Sequence, residues 1–142
     1  MKTTFYLIII TLVTSFGFTL NTGVDYQLVP VQKIHVEKHC HPTVKTGVFI
    51  YAEPKALHAI CADSMQKFDF ATHRIIHVQY KEQPGCSDRI EAIQEVRKYK
   101  HYYEVILVDH DKGICKTMVK PYQTVVIPND GHPVMFSGAL PE

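Results

Sequence analysis

The sequence lacks net charge, and it lacks every short motif that would carry a reaction with it. Fifteen basic residues stand against fourteen acidic ones in 142, a formal charge of +1. So balanced a chain offers no electrostatic case for nucleic acid or an anionic membrane as partner. It contains no nucleotide-binding glycine loop, no nucleophile elbow and no HExxH. Asp63, Asp69, Asp88, Asp109 and Asp111 are scattered, so no carboxylate pair for acid–base work stands out. There is no CxxC: Cys40, Cys61, Cys86 and Cys115 are spaced too widely for any zinc or haem motif. Internal repeats, low-complexity segments and linkers are also missing. Nothing from these absences points to a cofactor.

What is present fits one globular domain, 46% hydrophobic and 20% charged. The first residues read as a targeting segment. Lys2 supplies a positive start, Phe5 to Val13 an apolar core too short for a secure membrane span, and Ser15 and Gly17 the small residues of a cleavage site. Residues 1–17 are therefore expected to be a signal peptide; an uncleaved anchor or a buried strand is the plainer alternative. Cleavage removes Lys2 and no acid, taking the charge from +1 to zero. The expected location is secreted or periplasmic, with no membrane contact after cleavage. An even number of cysteines in an exported chain suggests two disulfides, in any of three connectivities.

Residues 18–43 form a lead-in, where Tyr26–Val29 and Ile34–Val36 alternate weakly and suit edge strands. From residue 44 to 142 the apolar pattern is stronger. Val48-Phe49-Ile50-Tyr51 and Ile75-Ile76-His77-Val78 read as buried strands, and Val105-Ile106-Leu107-Val108 as a third strand. Between them lie two helical patterns. One runs from Lys55 to Phe68 after Pro54, with Ala56, Ile60, Met65 and Phe68 on its apolar face. The other runs from Asp88 to Tyr102, with Ile90, Ile93, Val96 and Tyr99 at three-residue steps. The chain closes from Lys120 to Leu140 with a β-branched run, a turn at Asn129-Asp130-Gly131, and a second apolar run broken by Gly138. That reads as a hairpin. The order β-α-β-α-β followed by a hairpin predicts an α/β fold with a parallel core.

This order resembles the thioredoxin-like superfamily, in particular its exported, peroxiredoxin-related thiol-disulfide oxidoreductases. Phe49 through Pro54 is similar to the strand and turn entering the family's active-site helix. Pro121 stands where the family has its cis-proline, and Asn129-Asp130-Gly131, Val134 and Gly138 are similar to its closing hairpin. The resemblance implies a thioredoxin-like domain over 44–142, a cis peptide after Lys120, and a remnant active-site groove of Tyr51, Pro54, His58 and Pro121. It also implies the loss of dithiol exchange, because Ala52 to His58 holds no cysteine where the CxxC belongs. That chemistry needs a thiolate at a helix N-terminus. A second stretch is similar to the secreted pancreatic-type ribonucleases: Cys40, Lys45, Val48 to Tyr51 and Cys61, with Asn129 to Phe136 at the end. Met135 falls where that family has its catalytic histidine, so membership would imply an inactive protein, with a Cys40–Cys115 link.

Two local clusters remain. His39-Cys40-His41 places imidazoles and a thiol together, a soft donor set suited to copper or zinc; the plainer reading is a half-cystine flanked by exposed histidines. Cys86 and Cys115 are both expected near one sheet edge, as a structural bridge or a relocated redox pair. The function expected from all of this is a non-catalytic binding module for a protein or small ligand. The alternatives are redox chemistry at relocated cysteines, an inactive ribonuclease-like protein, and metal binding at the His-Cys-His cluster.

Overall fold

The strand His73–Gln79 is buried along nearly its whole length, on both faces. One face carries Ile76 and Val78 into the main core; the other carries Ile75, His77 and Gln79. Such double burial requires packing on both sides. In the computed structural model, which describes residues 25–34, 42–60, 62, 68–109 and 114–141, the face of Ile76 and Val78 is covered by a second sheet and not by helices. The strands in chain order are β1 (Gln27–Leu28), β2 (Gln32–Lys33), β3 (Gly47–Tyr51), β4 (His73–Gln79), β5 (Gln83–Pro84), β6 (Ile93–Lys98), β7 (Tyr103–Leu107), β8 (Met118–Val119), β9 (Tyr122–Pro128) and β10 (Val134–Gly138). A single four-residue helix among the described residues, α1 (Ala56–Ala59), lies between β3 and β4.

Two four-stranded sheets, ordered β1-β6-β7-β10 and β2-β9-β4-β3, share one core. Ile76, Val78, Val125 and Ile127 come from the second sheet, and Val96, Tyr103, Val105 and Leu107 from the first. The arrangement is a β-sandwich in which most pairs are antiparallel and β7–β10 is parallel. Behind the second sheet, Ile34, Ile60, Ala62, Ile75 and Val126 form a smaller core with the α1 segment. A short β5–β8 ribbon stands beside the sandwich.

The α/β, thioredoxin-like expectation is thereby overturned, for three physical reasons. The first concerns Asp88–Tyr102, where a strand replaces the expected helix. Ile93 pairs with Leu107, and Glu95 already pairs with Ile106, so Gln94 is an extra residue in a β-bulge. A bulge lets residues three apart face the same side. Ile93 and Val96 both point into the core for that reason, which reproduces helical spacing in a strand. The second concerns Lys55–Phe68, where among the described residues only Ala56–Ala59 is helical; Ala62 already makes an isolated bridge, and Ile60 and Ala62 are buried on the second sheet.

The third reason concerns the expected hairpin. β9 and β10 do not pair: β9 lies between β2 and β4, while β10 runs parallel to β7 in the other sheet. Asn129-Asp130-Gly131 does turn, with Gly131 at φ 84°, but it carries the chain between sheets. Asn129 holds the near side: its N–H donates to Thr72 O (2.8 Å) and its amide to Phe70 O (3.2 Å). Asp130 holds the far side, accepting from Tyr103 Oη at 2.8 Å. The peptide before Pro121 is trans, against the expected cis bond.

Gln123 joins the two sheets. Its side chain points into the main core, and its Oε1 accepts the N–H groups of both Ala92 and Ile93, each at 2.6 Å. These donors sit where β6 begins before its bulge and are buried. Without that oxygen two buried N–H groups have no partner. Gln123→Leu is therefore expected to destabilise the protein by about 2–4 kcal/mol, measured by urea unfolding.

Candidate binding surface

The residues expected to form a remnant groove do not meet. Tyr51 ends β3 opposite Ile75, and Pro54 and His58 are exposed beyond it. Pro121 precedes Tyr122, which pairs with Gln79 at the other end of β4. Four register steps separate the two ends, about 13 Å of strand. Pro121 instead offers its carbonyl to Tyr80 N–H and to the Gln79 side chain, both at 2.9 Å. His39, Cys40, His41 and Cys61 lie outside the described residues. Among the described residues no group of three or more His, Cys, Asp or Glu side chains is placed to hold a metal.

Cys86 and Cys115 are joined, closing 29 residues of sequence separation. Cys115 is thus not linked to Cys40. The bridge clips the β5–β8 ribbon, which Gly85 N–H also ties to Thr117 O at 2.9 Å. Cys86 is exposed at the edge of a shallow, open groove formed with Glu82, Asp88, Met118 and Lys120. Replacing both cysteines by serine is expected to cost about 3 kcal/mol in a thermal melt, with amide protection lost in the ribbon before the β4–β9 pair.

Behind the second sheet lies a buried polar row. His77 is fully buried between the rings of Phe49 and Tyr122. Its Nδ1 is 2.7 Å from Thr124 Oγ1 and its Nε2 3.3 Å from Gln79 Oε1. Gln79 in turn donates to the carbonyls of Tyr80 and Pro121. Burial lowers the His77 pKa to about 4, against the opposing hydrogen bond to Gln79 and with help from the charge on Lys120. This is a histidine kept neutral and satisfied, a structural role. Its folded value lies below its ordinary 6.5, so the unfolded chain takes up the proton first as pH falls. Stability should decline by up to about 3 kcal/mol between pH 6.5 and 4, and in His77→Gln that part of the pH dependence should disappear from urea titrations.

The densest exposed chemistry sits at the β6–β7 turn. The run Arg97-Lys98-Tyr99-Lys100-His101-Tyr102-Tyr103 folds over itself there, with Tyr99 N–H donating to Tyr102 O at 2.9 Å. On its outer side the Tyr99 and Tyr102 rings stack at 4.5 Å with planes 14° apart. Tyr26, beside β1, tilts against Tyr99 at 5.7 Å, and the Arg97 guanidinium lies 4.7 Å over the Tyr26 ring. Arg97 is held by Glu95 and Glu104, while Tyr99 Oη donates to Glu104 at 3.0 Å. Lys100 and His101 project into solvent.

The inner side of the same turn is a charged brace. Asp130 receives Lys98 Nζ and Tyr103 Oη, and His132 Nδ1 stands 2.9 Å away. Partial burial alone would raise the Asp130 pKa, but the hydrogen bonds from Lys98, His132 and Tyr103 hold it well below the usual carboxylate range. Arg74, buried under the main core, donates to His132 O at 2.7 Å and lies 5.3 Å over the Tyr103 ring. Its burial lowers its pKa, and the Asp130 charge opposes that. The brace fixes where the turn points, and the aromatic platform stands on it. The alternation of basic and aromatic residues from Arg97 to Tyr103 is the signal from which this surface can be read. Helical spacing masked it, because there Tyr99 reads as part of an apolar helix face and Arg97 and Lys98 as part of the wet one.

No family model, no characterised protein and no solved structure matches this chain.

Proposed function

We propose that this chain is an exported, non-catalytic binding module whose contact surface is the Tyr26–Tyr99–Tyr102 platform with Lys100 and His101 at its rim. The observation that carries the reading is the platform's construction. Tyr99 and Tyr102 stack on a four-residue turn, Tyr26 from beside β1 packs against them, and the turn's inner side is braced by Asp130, Lys98 and Tyr103. Tyrosines lose little conformational freedom on contact and combine an apolar face with a hydroxyl, which is why they recur at binding surfaces. Glu95 and Glu104 occupy Arg97, whereas Lys100 and His101 are exposed. The favoured partner is therefore a protein segment that lays an apolar or planar face on the tyrosines and presents acidic groups to the rim. The Cys86–Cys115 bridge supports an oxidising location, in keeping with export.

A displayed random-peptide library panned on the purified protein tests this. Peptides containing Asp or Glu beside an apolar residue should be enriched. Their affinity should fall about tenfold or more for Tyr99→Ala/Tyr102→Ala, a common size for loss of central aromatic contacts. Lys100→Ala should cost less and reduce the salt dependence. Equal binding by wild type and the double variant would remove the platform from the reading.

A further inference from the structure

The first sheet ends at β10, and among the described residues no strand pairs with its outer edge. β10 meets β7 in parallel register, Val134 opposite Tyr103 through Gly138 opposite Leu107. Tyr103 N–H donates to Pro133 O at 2.8 Å, and Ala139 N–H to Leu107 O at 3.0 Å. This phase settles the direction of every backbone group on the strand, since alternate residues of a parallel strand bond to one neighbour. Met135, Ser137 and Ala139 turn their N–H groups to β7. Val134, Phe136 and Gly138 turn theirs outward. Apart from Gly138 O, which accepts Leu140 N–H at 3.1 Å, these outward groups have no partner among the described residues.

Proteins protect such edges with charge, proline or shortness. Here β1 is two residues long and runs into Pro30, β2 is two residues long and contains Lys33, and β3 is bounded by Lys45 and Glu53. β10 has five residues, and from Gly131 to Pro141 there is no Asp, Glu, Lys or Arg. Met135 is 57% exposed and Leu140 53%.

We propose that β10 pairs with β10 of a second copy of this chain, antiparallel about a twofold axis through Phe136. The outward positions are symmetric about that residue. Phe136 meets its own counterpart, and Val134 meets Gly138 of the other copy, so every outward donor faces an acceptor. Gly138 O retains a lone pair for this beside its bond to Leu140. The same axis sets exposed Met135 against Ser137 of the other copy. An uncharged strand faces an uncharged strand, so the contact carries no like-charge penalty. Two four-stranded sheets become one continuous sheet, an isologous closed dimer. The tyrosine platform is not part of this contact.

Hydrogen exchange at rising protein concentration, together with sedimentation, tests the pairing in protein purified from an exporting host. The amides of Val134 and Phe136 should exchange quickly in dilute solution and slow at least tenfold as a dimer forms. Those of Met135, Ser137 and Ala139 should be protected throughout. Met135→Lys, at an exposed side chain, should leave that constant protection intact while abolishing both the dimer and the concentration dependence; Met135→Leu should abolish neither. A monomer at every concentration overturns the proposal. So does a rate at Val134 and Phe136 that ignores concentration, whether fast, meaning a bare edge, or slow, meaning cover from the same chain. Dimer formation surviving Met135→Lys also overturns it.

Discussion

The antiparallel ladder between β4 and β9 is the constraint on which the rest of the molecule depends. It pairs His73 with Pro128 through Gln79 with Tyr122, and both strands are almost entirely buried. A ladder buried on both faces needs two different coverings. One face is apolar in Ile76, Val78, Val125 and Ile127, and it takes the other sheet. The opposite face is split. Its Ile75–Val126 end takes Ile34, Ile60 and Ala62, while its His77–Thr124–Gln79 end satisfies itself by hydrogen bonds. A buried polar row of this kind is tolerable only when each member is paired, and the long reach of Gln79 to the Pro121 carbonyl supplies the pairing.

The two sheets are held in place by groups that bind both. Gln123 belongs to β9 yet caps the N–H groups entering β6. Asn129 and Asp130 are adjacent in sequence, but one is tied to the approach of β4 and the other to β7. Gly138 marks a third point of close approach. It sits at φ 91°, and a Cβ there would lie 2.0 Å from Leu107 O, so only glycine lets β10 run against β7. The exposed tyrosine turn inherits its orientation from these fixings.

The strands were legible as sequence: Val48–Tyr51, Ile75–Val78 and Val105–Leu107 are apolar runs and are strands. The turn at Asn129–Gly131 was legible too, as was the closeness of Cys86 and Cys115. The partners of these pieces were not. Ile90, Ile93 and Val96 have the spacing of a helix, and a bulge in a strand yields the same spacing. Only the pairing partner separates the two, and here that partner is β7, whose sequence position carries no trace of it. The binding surface went unread for the same reason. Once Asp88–Tyr102 is taken for a helix, Tyr99 belongs to its apolar face with Ile93 and Val96, and Arg97 and Lys98 to its wet one, so that tyrosine reads as core. In a four-residue turn between strands, Tyr99 and Tyr102 stack.

The sequence by itself determined that Val48–Tyr51, Ile75–Val78 and Val105–Leu107 are extended, that the chain turns at Asn129–Gly131, and that its charges nearly balance. These are local properties, written in side-chain polarity, β-branching and the freedom of glycine. The tertiary structure decided that β9 and β10 belong to different sheets, that Pro121 lies far from Tyr51 and Pro54, and that Tyr26 joins Tyr99 and Tyr102. Each of these depends on which strand edges meet, and backbone hydrogen bonds between strands are the same for any sequence. Edge choice follows from how whole faces fill one another's volume, a property that no single stretch of the chain contains.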